Sequence, residues 1–114
     1  MSDCLFCKMV AKEIAPDIVY ENDHVLAFRD INPQAPTHVL VIPKEHVSTI
    51  NDLDAAHTQL VGEMFLAAKK VAELDGLTDS GYRCVMNCNE DAGQTVFHIH
   101  LHVLGGRGLS WPPG

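Results

Sequence analysis

Apolar residues recur at helical spacing in two stretches of the chain and alternate with polar ones, or run together, in five shorter ones. Leu5, Phe6, Met9, Val10 and Ile14 follow helical spacing as far as Pro16, which predicts a helix over 5–14. "DIVYEN" and "HVLAFRD" read as two strands joined at Asn22-Asp23, a hairpin signal. "NPQAPT" is a loop, and "HVLVIP" is a strand that Pro43 ends. The long helix runs from Leu53 to Leu74. Its stripe is Leu53, Leu60, Val61, Met64, Ala68, Val71 and Ala72, with Asp52 as its cap and Gly76 as its stop. "YRCVMN" and "HIHLHVL" are the last two strands, separated by the polar loop "CNEDAGQTVF". Helix, three strands, long helix, two strands is the order of an α+β fold, an antiparallel sheet with helices packed on it.

The last strand carries an unusual polar face. Alternation puts His98, His100 and His102 on one side and Ile99, Leu101 and Val103 on the other. An isolated histidine, such as His24 or His57, is an ordinary surface or hydrogen-bonded residue. Three in a row must repel when protonated or be held by partners. One metal bound by all three is strained, because the outer Cα atoms lie roughly 13 Å apart at strand rise while a zinc–nitrogen bond is about 2.0 Å. Covalent catalysis fits better. A neutral imidazole is a good nucleophile and a good leaving group, so the middle histidine can attack phosphorus and water can cleave the product. Its neighbours would stabilise phosphoryl charge and supply a proton to the leaving group. The loop "AGQT" just before the strand offers backbone N–H groups and a hydroxyl to the same phosphate.

Composition narrows the partners. The 114 residues form one domain, 1–114, with a short tail at about 105–114. Eight Lys+Arg against 15 Asp+Glu give a net charge of −7, which repels duplex phosphates and argues against nucleic acid as a partner. No signal peptide and no run of membrane-spanning length is visible, so no membrane partner is expected and the expected location is cytoplasmic. That compartment disfavours disulfides among Cys4, Cys7, Cys84 and Cys88, and the last two read as buried inert thiols. Cys4-x-x-Cys7 fits a redox pair, half of a zinc site or two buried thiols, although the βαβ context of a redox pair is absent.

"GQTVFHIHLHVLGGR" resembles the alternating signature of the histidine triad family, and "FRDINPQAPTHVLVIPKEH" with the terminal "WPPG" resembles its nucleotide-binding, or Hint, branch. The likeness runs from about Leu5 to Gly114. It implies a five-stranded antiparallel sheet with two helices, and a ten-stranded sheet across a homodimer. The implied activity is hydrolysis of purine nucleoside phosphoramidates and aminoacyl-adenylate-type anhydrides, releasing AMP or GMP through a nucleotidyl-histidine.

Carried over by position, the nucleophile is His100. His102 and His38 line the phosphate, and the Thr95 hydroxyl stands where many members have serine. Gly93 and Gln94 shape the phosphate loop, Asp30 accepts from the ribose hydroxyls, and Asn87 faces phosphate or ribose. Phe6, Phe28 and Ile31 form the base slot; without the family each reads more readily as core. The resemblance also implies a structural zinc on Cys4, Cys7, His46 and His98, with His98 fixing the strand that carries His100. Alternative functions are a dinucleoside polyphosphate hydrolase, for which the tail "GGRGLSWPPG" is short, a nucleotide-binding regulatory module with incidental catalysis, and a zinc protein without nucleotide chemistry.

Overall fold

The computed structural model describes residues 3–114. Helix α1 (Leu5–Val10) opens where the Cys4 sulfur accepts the Cys7 amide at 3.3 Å. It ends at Val10 rather than Ile14, because Lys12 turns into the left-handed region at φ 65°. Strands β1 (Ile18–Glu21) and β2 (Val25–Arg29) form the expected hairpin, and the Asn22 side chain closes the turn by accepting the His24 and Val25 amides. β3 (Thr37–Pro43) follows.

Helix α2 (Thr58–Leu74) begins later than the apolar stripe suggests. Asp52 does not cap it. It closes a capping box with Thr49 around a 3-10 turn at Ile50–Asp52, and Asp54 caps a second such turn at Ala55–His57. Gly76, at φ 72°, ends α2 as expected: the Leu77 amide reaches back to the Ala72 carbonyl at 2.8 Å. β4 (Tyr82–Val85), a short helix α3 (Asn89–Ala92) inside the expected loop, and β5 (Leu101–Gly105) complete the chain.

The five strands form one antiparallel sheet in the order β1-β2-β3-β5-β4, so the α+β class and the five-stranded antiparallel sheet expected from the sequence are the observed architecture. Alternation along the strands splits the core in two. Val25, Ala27, Val39, Val41, Leu101 and Val103 pack under Met64, Ala67, Ala68 and Val71 of α2. Leu26, Phe28, Leu40 and Ile42 face the other way, against Phe6 of α1. β3 and β5 pair so that Leu40 lies opposite His102 and His38 opposite Leu104, which puts His38 and His102 diagonally on the α1 face. Among the described residues no helix is long and apolar enough to cross a membrane.

Candidate active site

The three histidines do not form one continuous strand face. β5 starts only at Leu101. The lead-in residues are held elsewhere: the Ile99 amide donates to the Val47 carbonyl at 2.8 Å, and His98 Nε2–H donates to the Pro43 carbonyl at 2.8 Å. A carbonyl can only accept, so His98 Nε2 carries the proton and Nδ1 keeps its lone pair. His98 is fully buried, and burial lowers its pKa from the usual imidazole value, which keeps it neutral.

His100 takes the opposite tautomer. Its Nδ1–H donates to the His98 carbonyl at 2.9 Å, which leaves the lone pair on Nε2. No buried side-chain nitrogen or oxygen among the described residues lacks a partner. Nε2 makes no protein hydrogen bond and is therefore open to the cavity that His100 lines. Phe6 meets the ring edge-on, with centroids 5.2 Å apart.

His102 and His38 are joined, Nδ1 to Nε2, at 2.9 Å. The direction of this bond follows from the backbone. The Gln34 amide donates to His38 Nδ1 at 3.0 Å, so His38 holds its proton on Nε2 and donates it to His102 Nδ1. His102 then presents Nε2–H to the cavity. Burial, reinforced by His100 and His38, pushes His102 down to about 4, while Asp30 acts the other way. His38 is lowered as well, chiefly by burial, so the pair is neutral at pH 7. Asp30 Oδ2 lies 3.4 Å from His38 Nε2, and Oδ1 accepts the Asn32 amide. Asp30, His38 and His102 have the spacing of a two-histidine, one-carboxylate metal site. The Gln34 amide argues against one, because the nitrogen that would face a metal is the nitrogen that must carry the proton.

The cavity in front of these groups has a volume of about 710 Å³, ample for a nucleotide. Phe6, Phe28 and Ile31 line it with Asp30, Thr95, His100 and His102. Phe6 and Phe28 are buried and touch edge to face, whereas Ile31 is fully exposed at the cavity's edge. His38 stands behind His102 and is not part of the lining. Asn87 and Gly93 also lie outside it. Gln94 is buried with its amide turned inward, accepting from the Asn89 amide and donating to the Ser48 and Val96 carbonyls; it shapes the loop from within.

Cys4, Cys7, His46 and His98 converge at the start of α1. Their four ligand atoms lie within 4.8 Å of one another. Cys4 Sγ is 3.3 Å and Cys7 Sγ 3.5 Å from His98 Nδ1, and His46 Nδ1 is 3.2 Å from both Cys7 Sγ and His98 Nδ1. These are close to the edges of a tetrahedron built on zinc–sulfur and zinc–nitrogen bonds, roughly 3.3–3.8 Å. The His98 Nδ1 lone pair points into the cluster, and its other nitrogen is tied to the Pro43 carbonyl, the usual support for a metal-bound imidazole. Burial and Cys4 push the Cys7 thiol up to about 11, so without a cation it stays protonated; a bound divalent cation would reverse this. The residues fit zinc.

Sequence reasoning did not single out Gln34, Val47, Pro43 or Ser48, which act through backbone groups or a single hydroxyl. It also passed over Met9, Ile14 and Val96 in the cavity wall, since each reads as ordinary core. Cys84 and Cys88 are both half-buried rather than enclosed, and burial raises the Cys84 thiol pKa.

Residues 11–109 match the HIT domain model, and the chain belongs to the HIT domain family. It is 51% identical over 107 residues to the purine nucleoside phosphoramidase of Escherichia coli, covering 94% of this chain and 90% of that protein. A 14 kDa zinc-binding protein of Zea mays is 48% identical over 115 residues, 99% of this chain and 89% of the relative. The crystal structure of a HIT family hydrolase from Legionella pneumophila superposes with a TM-score of 0.96 at 53% identity, covering 98% of this chain and 100% of that one.

Proposed function

We propose that this protein is a purine nucleoside phosphoramidase, a hydrolase that releases AMP or GMP from nucleoside 5′-phosphoramidates and aminoacyl-adenylate-type substrates by way of His100. The observation that carries the reading is the fixed tautomer of His100. With Nδ1–H held by the His98 carbonyl, the unpartnered Nε2 is the one nucleophilic nitrogen open to the cavity. The high identity to a relative that bears this activity's name supports the same choice.

In the first step Nε2 attacks phosphorus while the phosphorus–nitrogen bond of an N-protonated phosphoramidate breaks. The electron pair leaves with the amine. The positive charge gained by the imidazole is stabilised by the His98 carbonyl on Nδ1–H. His102 Nε2–H donates to a phosphoryl oxygen, and the Thr95 hydroxyl at the cavity rim contacts the leaving amine. Asp30 accepts from the ribose, while Phe6, Phe28 and Ile31 hold the purine. In the second step water attacks phosphorus, the bond to Nε2 breaks, its electron pair returns to the ring, and the water proton passes to solvent. Zinc on Cys4, Cys7, His46 and His98 has a structural part only. The reading includes a homodimer acting in the cytoplasm.

The test is AMP release from adenosine 5′-phosphoramidate by the wild type and by His100→Asn. The variant should keep its fold and lose turnover by on the order of 10³ or more. Retained hydrolysis would remove His100 as the nucleophile. A wild type that binds AMP but releases none would be a nucleotide-binding module instead.

A further inference from the structure

We propose that Arg107, which lies outside the cavity, is a positioning residue for the His38–His102 pair and acts through the backbone of Gln34. The inference rests on the functional reading above, in which His102 donates to the phosphoryl group. Arg107 Nη2 and Nε both donate to the Gln34 carbonyl, at 2.9 and 3.3 Å, and Nη1 donates to the Gly108 carbonyl at 3.0 Å. The Gln34 amide is in turn the donor to His38 Nδ1. One residue of the loop between β2 and β3 is thus gripped at its carbonyl from the tail, while its N–H sets the tautomer of the imidazole behind His102.

Arg107 has help from its neighbour. Gly106 sits at φ 92°, where a Cβ would come within 2.8 Å of Pro36 Cβ, so the tail passes flush against the same loop. The loop's other hydrogen bonds are the Asn32 amide to Asp30 Oδ1, the Gln34 side chain to the Asn32 carbonyl, and the Asp30 amide to the His38 carbonyl. None of these holds the backbone of Gln34. Among the described residues Arg107 forms no ion pair, and its hydrogen bonds all go to main-chain carbonyls.

The consequence is chemical. With the Gln34 amide loosened, His38 Nδ1 loses the donor that keeps a proton off it, and only the Asp30 carboxylate, 3.4 Å from Nε2, still favours Nε2–H from outside the pair, so His38 can shift part of its population to the Nδ1–H tautomer. Its Nε2 lone pair then faces the lone pair on His102 Nδ1, and the clash is relieved only if His102 moves its own proton to Nδ1 or turns away. Either change removes the N–H that His102 aims into the cavity. Because that donor strengthens its bond as charge builds on the phosphoryl oxygens, the loss falls on kcat more than on KM.

The test compares the wild type, Arg107→Ala and Arg107→Lys. Turnover of adenosine 5′-phosphoramidate is measured together with the imidazole ¹⁵N spectrum of histidine-labelled protein. Arg107→Ala should lower kcat by about tenfold with KM changed less than about twofold. His38 should pass from a single tautomer to a mixture. Arg107→Lys keeps one donor and should recover most of both readouts. An unchanged His38 tautomer overturns the proposal, whatever happens to stability. So does a raised KM with kcat intact, which would assign Arg107 to the ribose end of the loop. Should the wild type show no turnover while the tautomer still follows Arg107, the functional reading fails and the positioning role stands.

Discussion

Three imidazoles take their proton position from the main chain, His98 from the Pro43 carbonyl, His100 from the His98 carbonyl and His38 from the Gln34 amide, and His102 takes its own from His38. The residue types were legible in the sequence because alternation and chemistry are side-chain properties. The tautomers were not, because a carbonyl or amide leaves no mark in the one-letter string. Gln94 shows the same limit: a role in shaping its loop was readable from its place beside Gly93, but the three internal partners of its amide were not. The neutral pair gives a prediction at this scale. His102 is pushed down to about 4, below its value in the unfolded chain, and His38 is lowered in the same direction. Between about pH 6.5 and 4 the unfolded chain therefore binds more protons than the native one, so the stability from this pair is full above that window and is lost as pH falls through it. His102 alone should contribute about 1–2 kcal/mol once screening at its open side is allowed for. Asp75, held low by Arg29, loses its contribution only below the ordinary carboxylate range, so the two windows separate. Urea midpoints at about pH 7.5 and pH 5.0 should fall in the wild type and fall less in His102→Gln. Equal slopes for both proteins would mean that His102 is not held neutral by its surroundings.

At the scale of elements, the strands and the long helix were read nearly in place, and the errors have local causes. The sequence pattern of β5 includes His98 and His100, yet its ladder starts at Leu101 because Ile99 pairs with Val47 and His98 turns to the cysteines. α1 is shorter than its apolar spacing because Lys12 adopts a left-handed turn. A helix of six residues is far below the length that is stable alone. It carries Phe6 of the cavity wall, and Cys4 and Cys7 sit at its first turn, opposite His46 after β3 and His98 before β5. Zinc there would tie three segments together. The purified protein should therefore contain about one zinc per chain. Cys7→Ser or a strong chelator should remove it, lower the thermal midpoint and expose α1 to protease first, and KM should rise as Phe6 loses its seat. A metal-free protein with the same midpoint in both forms would make the cluster a set of packed thiols and imidazoles.

At the scale of the molecule, the two edges of the sheet differ. On β1 the edge is blunted by charge, where Glu21 pairs with both Lys12 and Lys44. Among the described residues β4 has no ion pair of this kind. Its Arg83 turns to the Leu109 and Ser110 carbonyls of the tail, and Tyr82 is partly exposed. Elsewhere on the surface α2 presents Phe65 and Leu66, 50% and 64% exposed. An open strand edge, on a molecule that also exposes two large apolar side chains on α2, suits a self-complementary contact about a two-fold axis. Two β4 edges pairing across that axis would join two sheets of five strands into one of ten. Sedimentation at micromolar concentration should give twice the 12.5 kDa of one chain. Leu66→Glu places a carboxylate in each copy of the contact and should shift the protein to monomer while the isolated fold survives, because Leu66 takes no part in the core under α2. A wild type that sediments as a monomer would leave β4 as a plain edge, and a Leu66→Glu dimer of unchanged affinity would move the contact to another face.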